Sequence, residues 1–250
     1  MPGIYVMAAV TFLGTAFLCV ATLNHLTQSD RRYYWLIVAG LPLSLIVNRF
    51  IKTPVIAAIA AWTGIPLRIG LDVPPRFIIA VWLNAPIFEE AIKLLPMILP
   101  ASRGFLRDAP RSLWAGLALG MGFGLGEAAY LASGIAQSPD YNQLPWHMFT
   151  GYASERLIVT FAHGFMTSIA VAGLYYGRSK AMSGYLTAVG LHALINLGAV
   201  LLALNVIPVA VSSLGIYATI LLAYILFQRN VHSVKVLSGT TPKEIIYFER

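Results

Sequence analysis

Glu89 and Glu90 stand side by side in the stretch Asn84-Ala-Pro-Ile-Phe-Glu-Glu-Ala-Ile-Lys93. On a helix, either carboxylate can meet Lys93, four residues from Glu89 and three from Glu90, on one face. Pro86 withholds a backbone hydrogen bond one turn earlier and can kink that helix. A third carboxylate, Glu127, follows Gly116, Gly120, Gly122, Gly124 and Gly126, with Tyr130 placed to donate to it. His163 shares a helical face with Thr160 and Thr167, and His192 stands four residues before Asn196.

A buried glutamate can act as general base towards water, and histidine can share or relay the proton. Glutamate and histidine can also hold zinc, commonly three protein ligands plus water. The ligand candidates are Glu90, Glu127, His163 and His192. Zinc would acidify that water and polarise a carbonyl. A metal-free, glutamate-activated water fits the same residues. Asn196 can donate to a developing oxyanion, and Lys93 can balance its glutamate neighbour. The catalytic candidates are therefore Glu89, Glu90, His163, His192, Glu127, Asn196 and Lys93. These residue types alone leave peptide hydrolysis open beside a proton- or cation-coupled transporter and a non-enzymatic membrane scaffold. There is no His-Glu-x-x-His pair and no Gly-x-Ser-x-Gly elbow.

The elements that must position these groups are membrane helices. The chain of 250 residues is 58% hydrophobic and 11% charged, where a soluble domain carries about 25% charge. Its apolar runs reach the length of spans. They predict an all-α polytopic bundle of about eight spans, near 3–24, 33–49, 53–67, 76–99, 112–136, 155–177, 181–204 and 206–227, with the active-site helices at the centre. The third is short and interrupted by Gly64 and Pro66. Residues 1–227 read as one transmembrane domain, 76–204 as its catalytic core, and 228–250 as a polar cytoplasmic tail. The first run lacks a basic leader and reads as a retained span. Cys19 is the one cysteine, so no intrachain disulfide forms.

The net charge of +7 is scattered through connections, which points to positive-inside bias and away from nucleic acid. Eight spans place Arg49, Lys52, Arg103, Arg107, Arg111, Arg178, Lys180, Arg229, Lys235, Lys243 and Arg250 inside. They place Arg31, Arg32, Arg68, Arg76 and Arg156 outside. Eleven against five puts both termini in the cytoplasm. The 137–154 connection, with Trp146, His147, Met148, Phe149 and Tyr152, suits the bilayer interface or a lid. The glycines at four-residue spacing suit close helix packing. An ionisable group facing lipid costs at least about 2.5–3.5 kcal/mol. Three acids and two histidines in four helices therefore converge on one hydrated site. By helical rise, all of them fall between the midplane and the outer leaflet.

Glu89-Glu90-x-x-Lys93, Gly122-Phe-Gly-x-Gly-Glu127, His163 and His192-x-x-x-Asn196, in this order, resemble the PrsW family of intramembrane proteases. That family lies in the wider group holding the CAAX prenyl endopeptidases and the Abi proteins. The resemblance covers about residues 76–200. The prenyl endopeptidases carry an arginine one position beyond Lys93 and a histidine where Glu127 stands, so both departures favour PrsW. Ala128 replaces an asparagine frequent in that family. The resemblance implies Glu89 and Glu90 as the catalytic pair, with His163 and His192 completing the site and Asn196 as polar partner. It also implies a membrane-anchored protein or peptide, cut near the extracytoplasmic side, as substrate.

Overall fold

The computed structural model of the protein describes residues 2–65 and 75–239. Eight α-helices carry the fold: α1 (Gly3–Thr27), α2 (Arg32–Val47), α3 (Thr53–Thr63), α4 (Pro75–Leu94), α5 (Ala109–Gln137), α6 (Thr150–Tyr175), α7 (Arg178–Ala203) and α8 (Val209–Gly239). Among the described residues, six stretches are long and apolar enough to cross a membrane. They are Gly3–Thr27, Arg32–Thr63, Ala109–Gln137, Trp146–Tyr175, Arg178–Ala203 and Val209–Val234. The chain is thus an all-α, multi-pass membrane bundle. Helix α4 is not among the six, because Glu89, Glu90 and Lys93 interrupt its apolar character. Its 20 residues still extend about 30 Å, the thickness of a hydrocarbon core.

Helix α5 is the axis. Its N-terminus is capped by Asp108, whose carboxylate accepts from the Arg111 N–H at 2.8 Å, with Pro110 in the first turn where no N–H is needed. In its most apolar window 78% of residues are buried, against 11% in the peripheral α8. Apolar side chains gain little by meeting each other within lipid, so close packing of small residues brings membrane helices together. Gly116, Gly120 and Gly124 face α6: a Cβ on Gly116 would lie 2.6 Å from Ser168 Cα, and one on Gly124 2.6 Å from Thr160 Cα. Gly122 and Gly126 face α2, where added Cβ atoms would lie 2.9 Å from Ile37 Cα and 3.2 Å from Leu41 Cα. The two glycine spacings therefore serve two different neighbours.

The expected second and third spans are one continuous helix. Pro54 has no N–H for the Phe50 carbonyl, and its ring crowds that turn. The chain absorbs this with a π-helical turn at Asn48–Lys52, where the Thr53 N–H reaches Asn48 O, and then runs on as α3. Pro66 lies outside the described residues.

The expectation that both termini lie on one side counted these as two spans, and that count does not hold. At one end of the bundle, Gly3 packs against Leu144 and Trp146. At the other end, Phe227 of α8 meets Trp114 near the start of α5 (6.1 Å), and Tyr33 meets Phe105 (5.2 Å). The first helix therefore begins, and the last described turns of α8 end, on opposite faces. Helix α8 continues to Gly239, so the stretch expected as a tail from 228 begins as helix, while 240–250 lie outside the described residues. The 137–154 connection is shorter than expected, because α6 starts at Thr150. Within it Phe149 is buried, and Trp146 and Met148 are exposed.

Gly126→Val should lower stability by about 1–3 kcal/mol, because its side chain would enter the Leu41 backbone. Gly134→Ala meets nothing within 4 Å and should be neutral or stabilising by up to about 1 kcal/mol. Thermal unfolding in detergent compares them; equal melting temperatures would refute the close approach of α2 and α5.

Candidate active site

Four helices deliver the predicted residues to one cluster. Helix α4 brings Glu89, Glu90 and Lys93, α5 brings Glu127, α6 brings His163, and α7 brings His192. Glu89 and Glu90 are 1% exposed and Lys93 is 0% exposed. The Gly120 approach, too close for a Cβ at the His163 carbonyl, sets α6 against α5 at the level of the site. On α4, Trp82 Nε1 donates to Ala193 O of α7 (2.7 Å), which ties those two helices together about two turns before the carboxylates. Pro86 sits between, and the helix continues through it.

The Lys93 ammonium donates to Glu90 Oε1 at 2.6 Å and to His163 Nδ1 at 2.8 Å, and stands 4.4 Å from the centre of the Phe123 ring. An ammonium has donors only. His163 Nδ1 is therefore an acceptor, its hydrogen sits on Nε2, and Nε2 donates to Glu127 Oε2 at 3.1 Å. His192 has the opposite tautomer: Nδ1 donates to Glu90 Oε1 at 2.8 Å, which leaves a lone pair on Nε2. That nitrogen lies 3.8 Å from Glu89 Oε2. The two imidazoles meet edge to face with centroids 5.2 Å apart. One imidazole thus presents a donor to the site and the other an acceptor.

Each carboxylate also has its own cation. Glu90 has Lys93, Glu127 has Arg156 (3.0 Å), and Glu89 has Lys52. The pairing of Lys93 with Glu90 settles which of the two adjacent acids the lysine serves. Glu127 is bonded to Arg156 and His163, not to Tyr130 as its spacing suggested. Lys52 and Arg156 are the site residues that sequence reasoning missed. Arg156 had a signal: with Thr160, His163 and Thr167 it completes an i, i+4, i+7, i+11 face of α6. Lys52 had none while the second and third spans were read as separate helices with Lys52 in a loop.

The cluster opens on a cavity of about 240 Å³ whose polar lining includes Glu127, Glu155, Arg156, His163, His192 and Asn196. Leu131, Val159, Met166, Ile195, Ala199 and Ile216 form its apolar wall. Asn196, one turn beyond His192, faces this space, while Glu89, Glu90 and Lys93 stand deeper.

The donor set fits a metal ion. Ligand atoms of Glu90, His163 and His192 lie within 4.8 Å of one another, as do those of Glu89, Glu127 and His163. Glu89 Oε2 and Glu90 Oε2 are buried without a hydrogen-bond partner, a costly state for a carboxylate oxygen that an ion or water would relieve. His192, with Nδ1–H bound to a carboxylate and Nε2 free, has the arrangement of a ligating histidine. His163 as held by Lys93 is a donor through Nε2, and would become a ligand either through Nδ1 in place of the Lys93 contact or through Nε2 after its hydrogen moves to Nδ1. Glu89 joins the four ligand candidates expected from sequence.

Residues 31–227 match the family described as PrsW family intramembrane metalloprotease. No curated protein and no solved structure matches the chain. With the match covering most of the chain and metal-competent glutamate–histidine clusters in its core, this protein belongs to the PrsW family of intramembrane metalloproteases.

Proposed function

We propose that the chain hydrolyses peptide bonds of a membrane-anchored protein or peptide in the cavity bordered by Glu127, His163, His192 and Asn196. The observation that carries this reading is the unpartnered Glu89 Oε2 facing the acceptor nitrogen of His192 across 3.8 Å. Two acceptors with no donor between them form a place for a water molecule. A water there donates to both, and one of them takes its proton as the oxygen adds to the scissile carbonyl. The His163 Nε2–H and the Asn196 amide are the donors available to the oxyanion that develops. The proton taken from water then passes to the departing amine nitrogen as the C–N bond breaks. Glu90 holds His192 in the tautomer this requires, and Glu127 receives the His163 donor until substrate replaces it. Glu90, His163 and His192, or Glu89, Glu127 and His163, would hold a zinc ion. When bound, zinc supplies a Lewis acid and a more acidic water. The apolar wall of the cavity suits an aliphatic, membrane-derived segment.

Basic residues support an orientation. Arg31, Arg32, Arg103, Arg107, Arg111, Arg178, Lys180 and Arg229 lie in the turns or helix ends at the face where α8 finishes. Arg156 is described near the other face, and Arg49 and Lys52 lie further along the continuous helix that starts at Arg32, away from the first face. The positive-inside bias puts the first face in the cytoplasm. The first helix then begins on the extracytoplasmic side, the last described turns of α8, 228–239, are cytoplasmic, and the cavity lies towards the outer leaflet. Residues 76–204 hold every site residue expected from sequence and form the catalytic core of the domain.

Glu89→Gln, Glu90→Gln, His163→Ala and His192→Ala should each lower kcat by at least about 100-fold while helicity is kept. Turnover of a membrane-anchored peptide, measured beside circular dichroism, checks this; wild-type rates in all four variants would remove the site. Gently purified protein should hold about one zinc per chain, lose activity to a chelator and regain it with zinc. Full activity in metal-free protein would assign the reaction to the glutamates and histidines alone. A membrane-impermeant thiol reagent applied to intact cells should label a cysteine placed at Pro2 and spare one placed at Arg178. The reverse pattern would invert the orientation.

A further inference from the structure

Lys52 comes from a helix that holds none of the motif residues, yet its ammonium donates to Glu89 Oε1. The contact depends on the π-helical turn, since Lys52 is its last residue. One extra residue in a turn rotates the remainder of the helix by about 100° about its axis, and here that re-aims Lys52. Its side chain is 16% exposed, whereas that of Glu89 is 1% exposed. With Oε1 engaged, Oε2 is left as the free oxygen, facing His192 Nε2 at 3.8 Å. Lys93 does not do this: its ammonium donates to Glu90 and His163 and stands over the Phe123 ring. Mere attachment of helices would not call for such a pair, since buried ion pairs are often no more stabilising than apolar contacts of similar size.

We propose that Lys52 is a positioning residue of the active site, delivered by the π-helical turn to hold Glu89 by one oxygen and present the other to the reacting water. The proposal rests on the proteolytic reading above. It adds a functional group from the part of the chain that precedes the recognised motifs.

The test uses the full chain in lipid nanodiscs and a single-span reporter peptide that the wild-type protein cleaves. Lys52→Met should lower kcat at least about tenfold with KM held within about twofold. Lys52→Arg, which keeps charge and donor, should recover to within about threefold of wild type. Lys52→Gln stands in for the methionine variant if that one does not fold. A second readout is independent of activity. Lys52→Met should lower the melting temperature by leaving Glu89 buried and unpaired, and Glu89→Gln added to it should restore much of the loss. Wild-type kcat in Lys52→Met would overturn the proposal. So would an arginine variant as slow as the methionine one, or melting losses that add without coupling. A wild-type protein that cleaves no reporter would instead sink the proteolytic reading, and the melting cycle would still decide whether Lys52 holds Glu89.

Discussion

Three carboxylates sit in the lipid-embedded core of this protein, each against a separate cation: Glu89 with Lys52, Glu90 with Lys93 and Glu127 with Arg156. A lone charge at that depth would be excluded or neutralised, so matching in number is a condition for keeping the acids there. The pairing draws on the turn between α2 and α3, on α4, on α5 and on α6. The electrostatic condition thus becomes a condition on how four segments pack. The two histidines link the pairs, since His163 joins Lys93 to Glu127 and His192 joins Glu90 to the neighbourhood of Glu89.

The pairs leave chosen atoms free. Lys52 and Lys93 each take one oxygen of their carboxylates, and the second oxygens of Glu89 and Glu90 remain buried without a partner. Lys93 fixes one imidazole as a donor, while Glu90 fixes the other as an acceptor. The hydrolysis proposed above, which needs one group to accept a proton from water and another to donate to an oxyanion, would use that division. The same oxygens and imidazole nitrogen suit a divalent ion, which links the charge pattern to the metalloprotease family the chain belongs to.

Glycine supplies the mechanical half. Long side chains on α5 would hold α6 and α2 away and separate Glu127 from His163. Two interleaved glycine rows let both neighbours approach at backbone distance, on different faces. The cavity then forms where α5, α6, α7 and α8 no longer fill the space between them, beside His163 and His192.

Much of this was legible in the chain itself. Apolar run lengths dictate membrane helices, because lipid leaves few other ways to satisfy a spanning backbone. The cost of a lipid-facing charge marks Glu89, Glu90, Glu127, His163 and His192 as residues that must meet, and they do. The glycine spacings name their two faces by helical periodicity alone. Three things needed the tertiary structure. Whether 33–49 and 53–67 are two spans or one depends on whether the turn before Pro54 opens or merely widens. That is a local difference in backbone geometry which no periodicity reports. Which cation serves which acid depends on side chains far apart in sequence, so Lys52 reads as a loop charge until α2 and α4 are seen together. The tautomers of His163 and His192 depend on partners 70 and 102 residues away. Which groups cannot face lipid is a property of each residue, and so it can be read from the sequence by itself; only packing decides which atoms those groups turn to one another.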